Sequence, residues 1–520
     1  MESGLRWPYY CRDATVTDRT PYVLHSLPTG RAESDCACSL GASLPEVLYT
    51  LPSRNHCSDC ACSESAGSPG KGSLVAGATW RLPPDLYRAS LSAGHEVAFR
   101  PSAPAGVAVL NEAASRVLDS FAHPRPLDRA SSLSLPYPPE SALFVARQLA
   151  ALGLLVPTRA AERVVARLRP ILTVWLHLTT RCNLRCAYCY APRGGVDMPP
   201  DVGRAAVDAA LRSARAHGFT AVKIKYAGGE PTLNFPTVQA VHAHARRQAA
   251  RAGIALHEVF LSNGVGLTDP MLAWLREEGI RLALSLDGMD SAHDQQRPRA
   301  GGQGSSDAVA TTVDRARAIG ISPHLSVTVT RYNVDALPEV VAFALDRGLT
   351  FNLNFVRPVP GAPNLMPPTD RLIAALRAVV ELMEQRPPAQ RIIDGLLDRC
   401  DFTGPHRYPC GMGRSYLVVG PKGAVARCHM EMQAGVSTVW DEDPLAAVQA
   451  VSEGVRNLPV EAKEGCSKCP WRYVCAGGCP LLARRVTGRE DVRSPYCEVY
   501  RAILPELVRA EGTRLLRRSE

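Results

Sequence analysis

The sequence lacks the features that would place a protein in or across a membrane. It contains no run of about eighteen uncharged apolar residues, the length that a spanning helix requires. Its N-terminus carries an acidic residue at Glu2 and a helix breaker at Pro8, so the basic and then apolar layout of a secretory signal is missing. We therefore expect no contact with a membrane and a cytoplasmic location.

A concentrated charge of either sign is also missing. The formal net charge is +9 over 520 residues, and the 59 Lys and Arg are spread along the chain. Proteins that bind nucleic acids usually gather their basic residues on one face or along one helix. We therefore do not expect a nucleic-acid partner.

Cysteine, in contrast, is abundant. The chain has 17 cysteines and no export signal, a combination that indicates metal or redox centres rather than disulfides. Cys182, Cys186 and Cys189 follow the spacing C-x3-C-x2-C. Three thiolates are one fewer than an ordinary cluster needs, so a cubane bound here keeps one iron open to a small chelating molecule. A zinc site or scattered core thiols are the alternative interpretation.

The segment from Thr179 to Tyr190, which contains these cysteines, resembles the signature of the radical S-adenosylmethionine (SAM) enzymes. The resemblance implies a [4Fe-4S] cluster whose open iron binds the methionine end of SAM. Reductive cleavage of SAM then gives a 5′-deoxyadenosyl radical that abstracts a hydrogen from the substrate. It also implies a reductant such as ferredoxin or flavodoxin. Tyr188 adds an aromatic face beside the cluster and is a candidate for contact with the cofactor.

Residues 170 to 386 alternate apolar runs with helical stretches rich in Ala, Arg and Leu. The predicted strands are 171–179, 222–226, 258–262, 281–286, 324–330 and 350–356. Successive β-α units imply a parallel sheet, most economically a partial (βα)6 TIM-like barrel, so the predicted fold class is α/β. The first cysteine loop follows the first strand, at the carboxyl mouth where such barrels hold their chemistry.

Polar residues follow the next strands of the predicted barrel. By resemblance, the loop Gly228-Gly229-Glu230 binds the methionine ammonium, Ser285 contacts SAM, and Arg297 pairs with its carboxylate. Two glycines allow close approach of the backbone, and the planar fork of an arginine suits a carboxylate. Asn263, at the end of the third strand, is a further candidate. Ordinary turn capping or an exposed polar side chain competes as the explanation for Asn263, Ser285 and Arg297.

Eight more cysteines follow the barrel, at Cys400, Cys410, Cys428, Cys466, Cys469, Cys475, Cys479 and Cys497. With Gly423, the last seven resemble the SPASM extension of radical SAM maturases, which carries two auxiliary [4Fe-4S] clusters. The first implied ligand set is Cys410, Cys428 and Cys479, and the second is Cys466, Cys469, Cys475 and Cys497. Cys400 is the natural fourth ligand of the first set; if it does not reach, an iron stays open for a substrate thiolate. A zinc-binding or structural block is the alternative.

A small domain precedes the barrel, with strands predicted at 87–91, 96–100 and 107–110 and helices at 112–121 and 141–152. Asn111 is the predicted N-cap of the first helix, and Gly153 the predicted C′ residue of the second. This order describes a winged-helix-like fold. The runs at 110–114 and 152–155 resemble the PqqD-like recognition element of ribosomal peptide maturases, which clamps a leader peptide against a strand edge. A structural cap on the barrel is the alternative.

The predicted organisation has four parts. These are a tail at 1–78, a PqqD-like recognition domain at 79–160, a radical SAM core at 168–390 and a SPASM domain at 400–505. The tail is expected to be poorly ordered, since it is rich in Ser, Gly, Pro and Cys and has little periodicity. It repeats Asp-Cys-Ala-Cys-Ser at 35–39 and 59–63. Such thiols could bind metal or be modified, but we favour a low-complexity extension or an overextended start site.

Together these features predict a radical SAM enzyme that modifies a ribosomally made precursor peptide carrying a leader segment. The expected product is a thioether or carbon–carbon crosslink. A sulfatase-type maturase, which forms formylglycine, is the runner-up; in that family an aspartate stands where this chain has His429, a candidate base. Cofactor assembly of the pyrroloquinoline-quinone type is a third option. An iron–sulfur peptide-binding scaffold without activity is the fourth, although the intact loop at 228–230 argues against it.

Overall fold

A computed structural model describes residues 47–49, 78–103, 106–132, 139–159, 171–389, 391 and 393–519. The two Asp-Cys-Ala-Cys-Ser repeats lie outside the described residues. Within the described ranges, no helix combines the length and the apolar character needed to cross a bilayer.

The N-terminal domain contains two sheets and two helices. Its strands are β1 (Val47–Tyr49), β2 (Thr79–Arg81), β3 (Tyr87–Ser90), β4 (Glu96–Phe99), β5 (Ala108–Leu110), β6 (Arg125–Pro126) and β7 (Val156–Pro157). Its helices are α1 (Glu112–Asp119) and α2 (Pro139–Ala151). Strands β3, β4 and β5 form an antiparallel meander, and β1 pairs with the free side of β5 to give the order β1-β5-β4-β3. The second sheet has the order β6-β2-β7.

The strands and helices predicted for this domain are confirmed, with ends that shift by at most two residues. Asn111 is the N-cap of α1, because its side-chain oxygen accepts a hydrogen bond from the Ala114 amide at 2.9 Å. Gly153 has a φ of +74°, the left-handed conformation expected of a C′ glycine. Strand β1 lies within the segment that the sequence assigns to the tail. Strand β1 pairs with β5, which lies far away in the chain, so no local sequence pattern predicts this contact.

The larger sheet of this domain is buried on both faces, because successive side chains of a strand point to opposite sides. On one face, Ala98, Ala108 and Leu110 pack in the core formed with α1 and α2. On the other, Val97 and Phe99 join the main core of the molecule. The N-terminal domain is thus packed against the rest of the protein and is not merely tethered to it.

The central domain is a partial (βα)6 barrel. Its strands are β8 (Ile171–His177), β9 (Ala221–Ala227), β10 (Ala255–Ser262), β11 (Arg281–Ser285), β12 (His324–Val329) and β13 (Phe351–Phe355). Its helices are α3 (Pro200–Ala216), α4 (Phe235–Ala252), α5 (Asp269–Glu277), α6 (Asp290–Asp294), α7 (Ser306–Ala318), α8 (Leu337–Asp346) and α9 (Thr369–Gln385). Neighbouring strands are parallel and follow chain order, which confirms the predicted α/β class.

The C-terminal region extends the barrel sheet. Its strands are β14 (Tyr416–Val419), β15 (Ala424–Ala426) and β16 (Gly435–Thr438), and its helices are α10 (Pro444–Ala450), α11 (Arg472–Cys475), α12 (Pro480–Thr487) and α13 (Cys497–Ser519). Strand β14 pairs in parallel with β8, so the sheet continues as β8-β14-β15-β16 beyond the first barrel strand. The sequence did not predict this continuation, because it depends on pairing between strands far apart in the chain.

Helix α13 connects the N-terminal domain to the barrel. Gly512 lies so close to the small domain that a Cβ at this position would be 2.9 Å from Leu91 Cδ1 and 3.1 Å from Val97 Cγ2. Towards the barrel, Arg377 of α9 donates to Glu506 at 2.9 Å. The C-terminal helix therefore fixes the N-terminal sheet relative to the catalytic domain.

Candidate functional site

The first cysteine loop leaves the carboxyl end of β8 and brings three thiols together. Burial is the main cause that raises the pKa of Cys182 and raises that of Cys186 to about 11, and the nearby charge of Cys189 adds to both. Arg297 acts in the opposite direction on both thiols. Iron ligands must lose their protons, so the loop releases protons when a cluster binds.

Backbone contacts hold this loop against the segment that follows α6. Arg185 donates its amide to Pro298 O at 2.8 Å, and Ala187 donates to Gln296 O at 2.9 Å. Asn263, at the end of β10, donates through Nδ2 to Asn183 Oδ1 at 2.7 Å. The same nitrogen lies 3.9 Å from Cys182 Sγ. Asn263 therefore contacts the loop beside one of the candidate iron ligands.

The Gly228-Gly229-Glu230 loop lies directly against the cysteine loop. Gly229 donates its amide to Thr179 O at 2.7 Å, and Glu230 donates its amide to Arg181 O at 2.9 Å. A Cβ at Gly229 would lie only 2.2 Å from Arg181 O, so a side chain here would separate the two loops. The glycine permits close approach of backbone to backbone beside the thiols.

Glu230 is fully buried and holds the end of β10. Its carboxylate accepts hydrogen bonds from the Ser262 hydroxyl and the Asn263 amide, each at 2.8 Å, and from the Thr232 amide at 3.2 Å. Burial raises the pKa of Glu230, although these donors favour the ionised form. Glu230 thereby joins its loop to the strand that carries Asn263.

Tyr188, Asp287 and Arg297 form a buried polar group at the mouth. The Tyr188 hydroxyl donates to Asp287 Oδ2 at 2.5 Å, and Arg297 donates to the Tyr188 hydroxyl. Arg297 Nη1 also lies 3.6 Å from Asp287 Oδ2. Among the described residues, Arg297 Nε is buried and has no hydrogen-bond partner. The guanidinium thus keeps a free donor beside the cysteine loop. Ser285 ends β11 at the same mouth.

These residues fit a cluster and a SAM molecule. Three thiols lie together, and a buried arginine with an unused N–H is the donor that a carboxylate needs. The fold therefore brings together four side chains that were predicted as site residues from the sequence, those of Cys182, Cys186, Cys189 and Arg297. Asp287 was not among the predicted site residues, although the polar residues at the end of β11 could have indicated it.

The C-terminal cysteines fall into two neighbourhoods. Burial raises the pKa of Cys428 to about 12, with further increases from Cys479 and Cys410. Burial likewise raises the pKa of Cys475 to about 12, with further increases from Cys466, Cys469 and Cys497. Cys428 is thus near Cys410 and Cys479, and Cys475 is near Cys466, Cys469 and Cys497, while the two ligand sets stay a prediction. Throughout the described part of the chain, no three Cys, His, Asp or Glu side chains are close enough to share one metal ion. A cubane instead takes each thiolate on a different iron.

Cys479 differs from its neighbours in charge. Burial alone would raise its pKa, but Arg357 and Arg399 outweigh burial, and the pKa of the Cys479 thiol is lowered. Cys479 is also the N-cap of α12, and the nearby Leu482 amide contributes to the lowering of the thiol pKa. A thiol at a helix N-terminus beside arginines is readily ionised. The two arginines were not predicted, since they lie far from Cys479 in the chain.

Lys463 lies between the two cysteine neighbourhoods. It is buried, and its Nζ donates to Ala476 O at 2.8 Å and Gly478 O at 3.3 Å. Its charge is coupled to Cys410 and Cys479 of the first set and to Cys466 and Cys475 of the second. Cys400 is buried and, together with Cys475, acts on the pKa of Tyr500.

His429 lies beside β8 and the cysteine loop, where its ring centroid is 5.3 Å from that of Tyr190. Its ring stacks on Trp175 with centroids 4.8 Å apart, and its Nδ1 lies 3.1 Å from the Tyr416 hydroxyl. Burial lowers the pKa of His429 far below its usual value, and the surrounding cations Arg399, Arg357 and Lys225 lower it further. His429 is thus neutral near pH 7 and a weak base.

The interior of the barrel carries polar residues that the sequence analysis missed. Lys223 and Lys225 alternate along β9, and His177 ends β8, all of them buried. Among the described residues, neither ring nitrogen of His177 has a hydrogen-bond partner, and burial lowers its pKa to about 4. The period-two pattern of polar and apolar residues in these strands was the available signal.

Comparisons with known proteins agree with this geometry. Residues 176–344 match the Radical SAM superfamily. The PqqA peptide cyclase of Xanthomonas campestris pv. campestris (strain B100) is 26 % identical over 353 residues, which cover 63 % of this chain and 87 % of that protein. The PqqA peptide cyclase of Rhodopseudomonas palustris is 25 % identical over 341 residues, covering 63 % and 86 %.

Solved structures agree with the fold. The structure of native anSMEcpe with bound AdoMet and the Cp18Cys peptide superposes with a TM-score of 0.53 at 17 % sequence identity. The match covers 67 % of this chain and 99 % of anSMEcpe. At this level of identity the likeness concerns the fold alone.

Proposed function

Because this chain is a radical SAM enzyme that uses SAM and a [4Fe-4S] cluster, we propose that it crosslinks a ribosomally made peptide. The observation that carries the proposal is the similarity to PqqA peptide cyclases, which extends over most of the length of those enzymes. The expected product is a carbon–carbon or thioether crosslink. The peptide is the expected partner, together with a cytoplasmic reductant such as ferredoxin or flavodoxin.

In this proposal, Cys182, Cys186 and Cys189 hold the cluster, and the free Nε of Arg297 binds the carboxylate of SAM. Tyr188 holds the guanidinium through a hydrogen bond that it accepts from Arg297, and Asp287 accepts from the Tyr188 hydroxyl and pairs with the guanidinium charge. The Gly228-Gly229-Glu230 loop, Asn263 and Ser285 complete the cofactor side of the mouth. When bound, SAM would be the source of the radical that abstracts a hydrogen atom from the substrate. The protein would position the substrate and exclude water.

We assign the C-terminal cysteines to two auxiliary [4Fe-4S] clusters. Cys410, Cys428 and Cys479 hold the first, and Cys466, Cys469, Cys475 and Cys497 hold the second. Cys400, which is buried, is kept as a candidate fourth ligand of the first. These clusters accept the electron that remains once a crosslink has formed.

The N-terminal domain at 79–160 is assigned to leader recognition, the core at 168–390 to radical chemistry and residues 400–505 to the auxiliary clusters. The small domain packs tightly on α13. This packing supports a role of the domain in presenting the substrate, since a leader bound there would keep a fixed position relative to the barrel. A peptide too extended for the barrel alone can be selected in this way.

The test is anaerobic reconstitution with iron, sulfide, dithionite and SAM, followed by addition of short peptides encoded beside the gene. We expect 5′-deoxyadenosine and a peptide lighter by two hydrogens, with the joined residues identified by tandem mass spectrometry. Formation of formylglycine would favour the sulfatase-type alternative. Deoxyadenosine without any change in the peptides tested would leave radical chemistry standing and count against this substrate class.

A further inference from the structure

Strand β5 is the point at which the N-terminal sheet accepts an additional strand. Residues Val47–Tyr49 run antiparallel to it, with Val47 opposite Leu110, Leu48 opposite Val109 and Tyr49 opposite Ala108. Without β1, the order β5-β4-β3 would leave the backbone of β5 unpaired on its outer side. An unpaired strand edge is a template for any extended peptide.

The resident strand is short and comes from far away in the chain. Among the described residues between β1 and β5 are three other strands, two of which belong to the same sheet. A strand of three residues contributes few ladder hydrogen bonds, and closure of a long intervening segment opposes its docking. Strand β1 therefore resembles a bound peptide more than an integral part of the meander.

The opposite edge of the sheet is less suited to the same purpose. Strand β3 carries Tyr87, whose ring lies 5.3 Å from that of Trp471 and whose hydroxyl donates to Pro505 O at 3.3 Å. Phe99 of the neighbouring strand stacks on the same Trp471 at 6.0 Å. Trp471 stands between Cys469 and Cys475, so the sheet that takes up β1 packs directly on the segment carrying two candidate cluster ligands.

We propose that Val47–Tyr49 of this chain occupies the outer edge of β5, the strand edge that leader recognition would use, until a leader arrives. The inference rests on the proposed peptide-modifying function. Leader and β1 would pair with the same backbone groups of β5, so they compete. The apparent affinity for an added peptide is the intrinsic affinity multiplied by the fraction of molecules in which β1 is undocked.

The direct test uses a fluorescent synthetic peptide of residues 41–55 as the probe and full-length protein as the receptor. In the double variant Leu48→Pro/Tyr49→Pro, one of two successive residues loses a ladder donor whichever way the strand faces. We expect the probe to bind this variant at least about tenfold more tightly than wild type, because the competitor is gone. The matched control Ala42→Pro/Ser43→Pro changes the same segment outside β1 and should bind like wild type. Equal binding by both variants and wild type overturns the inference.

Hydrogen exchange on the unmodified protein provides a measurement that needs no variant. With excess probe, the amides of β1 should lose protection while those of β5 keep it. Protection of β1 that persists at saturating probe overturns the inference. Neither experiment needs turnover, so a failure of the proposed chemistry stays distinguishable. A precursor peptide that is crosslinked but does not displace the probe refutes the shared edge alone.

Discussion

The first cysteine loop and the C-terminal cysteine sets differ in how far apart their thiols lie along the chain and in how exposed these thiols are. Cys182, Cys186 and Cys189 belong to one short loop after β8, and one of them is exposed. The C-terminal sets draw on thiols from Cys410 to Cys497, three of which, Cys466, Cys475 and Cys479, are buried. In the proposed assignment, the iron that binds SAM would thus be held by a compact, partly exposed loop, whereas the auxiliary clusters would be more enclosed.

The local charges follow the same division. At the loop, Arg297 is the cation that acts on the thiols, and one of its N–H groups is still unused. In the C-terminal region, Arg357 and Arg399 lie beside Cys479, and Lys463 lies between the two sets. The arginine at the loop thus keeps an N–H group for a ligand, whereas the cations of the C-terminal region lie beside the thiols themselves.

The largest effect is expected from Cys186→Ala. Two thiolates hold a cubane poorly, so formation of 5′-deoxyadenosine under anaerobic conditions with dithionite should fall below detection. The adjacent and exposed Ala187→Ser should keep it. Retained turnover in the cysteine variant would show that this loop does not hold the reactive cluster.

A buried thiol of the other region should separate the two functions. In Cys475→Ala, we expect iron and sulfide to fall by about one cluster in three, with cleavage of SAM retained and crosslinking of the peptide lost. Mössbauer spectra give the inventory, and Val474→Ala controls for the loss of packing. If SAM cleavage were lost to the same extent as crosslinking, the proposed division of labour would be wrong.

A smaller effect is expected from Arg297→Lys. Lysine keeps the charge but loses the planar fork, so the KM for SAM should rise by about 10- to 100-fold, the range for one hydrogen bond to a charged group. The iron content should stay unchanged. Arg299→Lys, two residues further on, should have little effect. An unchanged KM in the Arg297 variant would remove this residue from the SAM site.

The smallest effect is expected from Lys463→Met. Removing a buried positive charge between two clusters makes their reduced states less favourable, so both auxiliary potentials should become more negative by tens of millivolts. A redox titration followed by electron paramagnetic resonance measures this shift, and the exposed Lys468→Met is the control. A shift confined to one cluster would place Lys463 beside that cluster only.

Much of the fold was accessible from the sequence because its elements are locally encoded. The six barrel strands are apolar runs with clear turn signals, and they were predicted with their ends within three residues. Asn111 and Gly153 were identified from their capping chemistry, which acts over a few residues. Contacts between distant segments had no such signal, as β14 beside β8 and β1 beside β5 illustrate.

The sequence by itself determined the cysteine spacing at 182–189, the order of β-α units and the caps, since each depends on residues close together in the chain. Tertiary structure alone decided that Arg357 and Arg399 lie beside Cys479, that Lys463 lies between two cysteine sets, and that residues 47–49 complete a sheet. The physical reason is that burial and charge act through space, and the fold brings together groups separated by tens of residues.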